Sequence, residues 1–231
     1  MEESQIIANE LNNHGSTWTN NKQFDEDGYY VVKDLWDVEE LYHSLPTERG
    51  MLRYWGKELH QFEHNPLEEQ VNGSLSRYNH PQYRRIHSRI GNKIEEILGR
   101  KLYTTYFYDR FYLPGQELKK HTDRDSCEIS VTVHVSTNLE ESWPIWIKTP
   151  NTYTDKTKKQ LLMRGDERSV VLQTGDGMIY KGCERPHWRY VMPGTLESSL
   201  PTNNKELYYH QIFFHYVLQD GQRAHYAWDK G

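Results

Sequence analysis

Cysteine is scarce in this chain: Cys127 and Cys183 are the only two in 231 residues. That is too few for a disulfide framework, and it fits a reducing cytoplasm, although the spacing leaves a single bridge open. No apolar run approaches the length of a membrane span. The opening MEESQIIANELNNHG is acidic and lacks the basic and apolar regions of a secretory signal, so a cytoplasmic location is expected. An excess of positive charge is also missing. The formal net charge is −5 and the isoelectric point about 6.2, which gives no electrostatic footprint for nucleic acid or an anionic membrane. Hydrophobic residues make up only 35 %, with a mean hydropathy of −0.94, values that by themselves point toward disorder. Aromatic residues argue the other way. They form 13 % of the chain, with 17 Tyr and 7 Trp, and disordered chains are poor in aromatics. The expectation is one folded domain with an aromatic core.

Residues 1–28, rich in Asn, Glu and Asp, read as a loosely ordered arm. The rest, 29–231, reads as a single domain. Its helical support spans 29–99, its β core 100–218 and a C-terminal extension 219–231. GYYVVKDLWD (28–37) is a strand candidate leading into a short helix, VEELYHSLP, and 50–78 reads as loop with short elements. The strongest helix signal runs from Pro81 to Leu98. Tyr83, Ile86, Ile90, Ile94 and Ile97 recur at spacings of three and four, Pro81 suits a first helical position after a cap at Asn79 or His80, and Gly99 is a stop. Beyond Gly99 the pattern turns to strands at 101–113, 128–136, 142–150, 168–174, 177–182 and 206–218, with turn signals such as LPGQ, TGDG and MPGT between them. Segment 151–167 reads as a protruding loop or hairpin. A run of strands after a helix predicts a mainly β fold, a barrel or sandwich with flanking helices.

The chemistry gathers in KKHTDRDSCEISVTV (119–133). His121 and Asp123 stand two apart, and on a strand both would point to one face and reach one metal ion. With 12 His in the chain, such a pair also arises by chance, as a solvated turn. A second element gives it context: TGDGMIYKGCERPHWRY (174–190) has a tight turn, a short strand and then His187. In a closed barrel His187 can return beside the first strand. Two His and one carboxylate with other positions open are the donor set of non-haem Fe(II) oxygenases, whereas a structural zinc site more often shows four closed ligands. Two Cys plus His187 would leave His121 and Asp123 unexplained, so the cysteines read as small buried residues.

The stretches YLPGQELKKHTDRDSCEISVTVHVS, GDGMIYKGCERPHWRY and HQIFFHYV, in this order, resemble the Fe(II)- and 2-oxoglutarate-dependent oxygenases of the prolyl-hydroxylase-like kind. The resemblance covers roughly 100–228, with 28–48 similar to the family's first strand and helix. It implies a double-stranded β-helix, a jelly-roll or cupin-like barrel. It implies His121, Asp123 and His187 as iron ligands, with 2-oxoglutarate and O2 as cosubstrates and hydroxylation of a small molecule or peptide as the reaction. The family usually places an Arg or Lys about ten residues beyond the distal His to hold the far carboxylate of 2-oxoglutarate. Here that position falls in GTLESSLPTNN, which has neither. Arg189, Lys205 and Arg110 are the candidates, and Arg189 is favoured because a guanidinium grips a carboxylate bidentately. Tyr112 sits where related enzymes place a Tyr that hydrogen-bonds the cosubstrate. Tyr209, Gln211, Phe213 and His215 share the face of the last strand expected to line the pocket, with Gln211 a cosubstrate contact. Arg124 reads as a surface partner of Asp125. The alternatives are a cupin-like metalloenzyme that does not use 2-oxoglutarate, or a silent barrel acting as a binding module.

Overall fold

A computed structural model describes residues 19–37, 39–40, 63–64, 70–71, 73, 75–150, 165–194 and 207–231. Two sheets face one another. The larger has seven strands in the order β1-β9-β6-β11-β4-β3-β2, and the smaller has four in the order β5-β10-β7-β8. The strands are β1 (Tyr29–Val32), β2 (Glu63–His64), β3 (Leu75–Tyr78), β4 (Leu102–Tyr112), β5 (Leu118–His121), β6 (Ile129–Thr137), β7 (Ile145–Lys148), β8 (Glu167–Val170), β9 (Gly177–Lys181), β10 (His187–Arg189) and β11 (Tyr209–Leu218). Every pairing is antiparallel. From β4 onward the chain passes back and forth between the sheets, with only β7 and β8 consecutive in one sheet, the wrapping of the expected double-stranded β-helix.

Two α-helices are described in full: α1 (Lys22–Asp27) and α2 (Arg84–Leu98). The apolar stripe of α2 packs on the outer face of the large sheet, where Ile86, Ile90 and Ile94 meet Val131, Val133, Val135, Ile212 and Phe214. Each such buried side chain contributes about 1.5–3 kcal/mol. Leu98 rather than Ile97 completes the stripe, since Ile97 is only partly buried. Gly99 ends the helix in the left-handed region at φ 65°, donating its N–H to Glu95 O. The start differs from expectation. A 3-10 turn, Pro81–Tyr83, precedes α2, and neither Asn79 nor His80 caps it with a side chain. Asn79 is instead a left-handed turn residue, φ 51°.

The N-terminal arm also needs correction where it is described. Asn21 caps α1 through a bond to Phe24 N, and Phe24 is fully buried in the main core, so residues 22–27 belong to the packed body. The C-terminal extension is likewise tied down: Arg223 pairs with Asp125, and Lys230 donates to Thr104 O. Residues 1–18 lie outside the described residues, as do most of the helix expected near 38–46 and loop 151–164.

The large sheet has two unlike faces because side chains alternate along each strand. Outward go Val131, Val133, Val135, Ile212, Phe214 and Tyr216, toward α2. Inward, toward the small sheet, go Ser130, Thr132 and His134 from β6, Gln211, Phe213 and His215 from β11, and Tyr108, Arg110 and Tyr112 from β4. All of them are buried.

Candidate active site

His121 and His187 meet because β5 and β10 are antiparallel neighbours and these two residues stand directly opposite. Their ring centroids are 4.3 Å apart. Asp123 arrives by another route than its spacing predicts. β5 stops at His121, the chain crosses between the sheets through a 3-10 turn at Asp125–Cys127, and β6 begins at Ile129. The alternation read at 128–136 therefore belongs to a different strand from His121. Asp123 sits in the crossing loop, fixed by its N–H donating to Gly182 O at 2.9 Å.

The three side chains converge. Asp123 Oδ1 lies 3.5 Å from His121 Nε2 and 3.4 Å from His187 Nε2. Donors held at right angles around one divalent ion, each about 2.1 Å from it, sit about 3 Å apart, so this spacing suits a single ion bound on one side. Both imidazoles are turned the same way. His121 Nδ1 lies 2.7 Å from Lys119 O, and His187 Nδ1 lies 3.0 Å from Arg185 O. A carbonyl only accepts, so each Nδ1 carries a proton and each Nε2 is the nitrogen turned toward Asp123, an N–H donor to the carboxylate when the ring is protonated and a lone pair for a metal when it is not. Tyr180 packs edge-on against the His187 ring at 4.7 Å.

The charges are tuned by one another. Burial works against the Asp123 carboxylate, but the charge of His187 and the hydrogen bonds from both imidazoles outweigh it and hold the carboxyl well below its ordinary range. Burial likewise opposes a charged His187, and Asp123 more than restores it. His121 is pushed down by burial and then by the charge of His187, which Asp123 only partly offsets. The carboxylate is thus ionised and ready to take a cation.

Beyond this triad, Arg189 points inward from the same strand as His187. It is 1 % exposed. Its NH2 donates to Gln211 Oε1 at 2.8 Å and Tyr209 Oη at 3.3 Å, and its NH1 donates to Trp143 O. The guanidinium stacks on the Trp143 and Tyr209 rings at 4.7 and 4.6 Å. All these partners are neutral; among the described residues no carboxylate pairs with it. A buried cation without a counter-charge is costly unless something supplies one. Around it lie further buried polar atoms with no partner among the described residues: Arg189 Nε, Tyr112 Oη and His134 Nε2. Arg110, also buried, stands beside Gln211 across β4 and β11 and stacks on Tyr108 and Tyr112. Lys205 lies outside the described residues.

The last strand thus presents Gln211 to the pocket, as expected of that face, and β10 supplies Arg189 to the same spot. Trp143 lines this pocket, whereas Trp146 and Trp188 face outward from the small sheet, stacked at 6.2 Å, with Lys120 over Trp188. Arg124 pairs with Asp229 at 3.2 Å, while Asp125 takes Arg223 instead. Both cysteines are free and buried. Sequence reasoning missed Ser130, Thr132 and His134. The signal was present: in a strand whose Val residues face a core, three polar residues on the other face must line something.

No protein-family model matches the sequence, and no curated protein matches it. Solved structures do match. A prolyl-4-hydroxylase from Pseudomonas putida superposes with a TM-score of 0.53 at 12 % identity, over 93 % of this chain and 98 % of that one. A 2OG-Fe(II) oxygenase family oxidoreductase from Burkholderia pseudomallei gives 0.56 at 11 % identity, over 94 % and 91 %. The iron-bound EctD of S. alaskensis gives 0.54 at 14 % identity, over 87 % and 81 %. The chain has the 2-oxoglutarate/Fe(II) oxygenase fold. At these identities the likeness speaks for the fold alone. Within that oxygenase fold the residues present fit an iron centre on chemical grounds: two imidazole nitrogens and an ionised carboxylate converge, and a buried guanidinium lies beyond them.

Proposed function

We propose that this protein is an Fe(II)- and 2-oxoglutarate-dependent dioxygenase that hydroxylates a small molecule or peptide while 2-oxoglutarate is decarboxylated to succinate. The reading rests on one observation above all: His187, facing Asp123 and His121, and Arg189, without a carboxylate partner among the described residues, are inward neighbours on one strand. Two residues along a strand separate them by roughly 7 Å, the scale of a five-carbon diacid. His121 Nε2, His187 Nε2 and Asp123 Oδ1 would hold the iron. Arg189 would grip the far carboxylate, Tyr112 would donate its hydroxyl to it, and Gln211 would keep the guanidinium aimed. Tyr209, Trp143 and Phe213 would wall the pocket against water. When bound, iron with O2 and 2-oxoglutarate supplies the oxidising power for the C–H bond. The two free, buried thiols fit a cytoplasmic protein in this reading.

Anaerobic addition of Fe(II) and 2-oxoglutarate is expected to give the weak visible charge-transfer band of the chelate. Metal binding without that band would favour the cupin-like reading, which draws on the neutral acceptors that already engage Arg189. Absence of metal binding would favour a binding module. Succinate release, screened against metabolite and peptide panels, then finds the substrate.

A further inference from the structure

The two oxygens of Asp123 have different neighbours. Oδ1 faces His121 and His187. Oδ2 accepts a hydrogen bond from Ser130 Oγ at 2.7 Å, and Ser130 Oγ in turn lies 3.0 Å from His215 Nδ1. A serine hydroxyl has one proton and a carboxylate only accepts, so Ser130 donates to Asp123 and must accept from His215. His215 is therefore the Nδ1–H form, 2 % exposed, with Nε2 unpartnered among the described residues.

Strand register builds this chain. Tyr180, Ser130 and His215 stand directly opposite one another across β9, β6 and β11, with Ser130 in the middle. Gly182 leaves room for it. A Cβ there would lie 2.4 Å from Asp123 Oδ2, from Ser130 Oγ and from Cys127 O. Asp123, Cys127 and His215 also have donor atoms close enough to suit a metal ion. The Ser130 hydroxyl, however, already bridges Asp123 and His215, so this group is a hydrogen-bond relay.

We propose that Ser130 and His215 are positioning residues for Asp123. They hold Oδ2 away from the metal so that Asp123 binds through Oδ1 alone and leaves the remaining positions open. This rests on the iron-centre reading above. Hydrogen bonds of this kind to a ligating carboxylate typically change metal affinity tenfold or more.

The test is anaerobic Co(II) titration of the full chain, read by d–d absorption, with melting and circular dichroism to score folding. Wild type is expected to bind one Co(II). Ser130→Ala and His215→Phe should weaken binding about tenfold or more and lower the d–d intensity, as a freed carboxylate chelates through both oxygens. His215→Asn keeps an N–H donor near the Nδ1 position and should stay within about threefold of wild type. Wild-type affinity and spectrum in Ser130→Ala overturn the proposal, and that variant decides alone if His215→Phe does not fold. A loss in His215→Asn equal to that in His215→Phe also overturns it, since packing would then be the cause. If wild type itself takes no Co(II), the iron-centre reading fails, and the relay with it.

Discussion

On the outer face of the large sheet, Asp109 is fully buried and receives Arg77 Nε at 3.0 Å, Arg77 NH2 at 2.8 Å and His210 Nε2 at 3.0 Å, with Tyr83 Oη at 3.5 Å. On the inner face of the same sheet, Arg189 is equally buried but meets only neutral acceptors, and Tyr112, His134 and His215 each keep a polar atom unpartnered among the described residues. Strands β4 and β11 contribute to both clusters, since Asp109 and His210 alternate with Arg110 and Gln211. The outer cluster is closed: burial opposes the Asp109 charge, yet Arg77 and His210 outweigh it and hold the carboxyl below its usual range. The inner one is open. A closed buried cluster pins β3, β4 and β11 to one another, while an open one stores unmet hydrogen-bonding capacity that a ligand can take up. The same strands therefore serve stability on one side and binding on the other.

The sharpest way to break that comparison is at the metal end. Asp123→Ala removes the ionised donor from the centre, and Fe(II) or Co(II) binding should fall about a thousandfold or below detection, while the closed cluster keeps the fold. Metal titration with parallel urea melts checks both halves. Next comes the closed cluster. Arg77→Ala leaves Asp109 buried without its main counter-charge, and this should cost about 3–5 kcal/mol of stability, read as a drop in urea midpoint. Metal and 2-oxoglutarate affinity of the molecules still folded should be unchanged. A variant that loses affinity without losing stability would show that the outer cluster is not purely structural.

The fold was legible because its signals are local and repeated: the apolar stripe of α2, the Gly99 stop, and the alternation along β4, β6 and β11. The meeting of His121 with His187 was legible from order and spacing. How Asp123 reaches them was not, because the exit from β5 and the turn at Asp125–Cys127 depend on the crossing between sheets. Arg189 could be favoured from its spacing to His187, but its engagement by Gln211 arises only from the facing of two sheets. The Asp109–Arg77–His210 cluster joins residues up to 133 positions apart in sequence, and nothing local marks it. Phe24 was hidden for the opposite reason: an Asn- and Asp-rich segment looked solvated although one aromatic side chain anchors it.

Arg189→Met sharpens the comparison from the open side. Removing this cation should weaken 2-oxoglutarate binding about a hundredfold. It should leave stability within about 1 kcal/mol, or raise it, since an uncompensated buried charge is lost. Isothermal titration with the Co(II)-loaded protein measures the first and urea melts the second. Full retention of affinity would move the anchor to another cation, Lys205 being the first to test.

The smallest effect concerns protons on both faces. Burial pushes His87, on the outer side, down to about 3, and pushes His134 and His215, on the inner side, down to about 4. In the unfolded chain each would titrate near 6.5. Below that pH the unfolded state binds more protons, so stability is full above about 6.5 and falls as the pH drops toward the folded values. Each histidine costs about 2 kcal/mol between pH 7 and pH 5. His87 is the clean probe, because its Nε2 meets the backbone carbonyl of His215, 3.0 Å away, and its ring packs on Phe107, Phe214 and Tyr216. Replacing it with Gln keeps a donor for that carbonyl and removes the titration. The pH 7 to pH 5 loss in urea stability should shrink by about 2 kcal/mol in His87→Gln. The same shrinkage should appear with saturating Co(II), because the closed side does not feel the ligand. A shrinkage that vanishes when metal is added would mean that the two faces of the sheet communicate, and the division between them would fall.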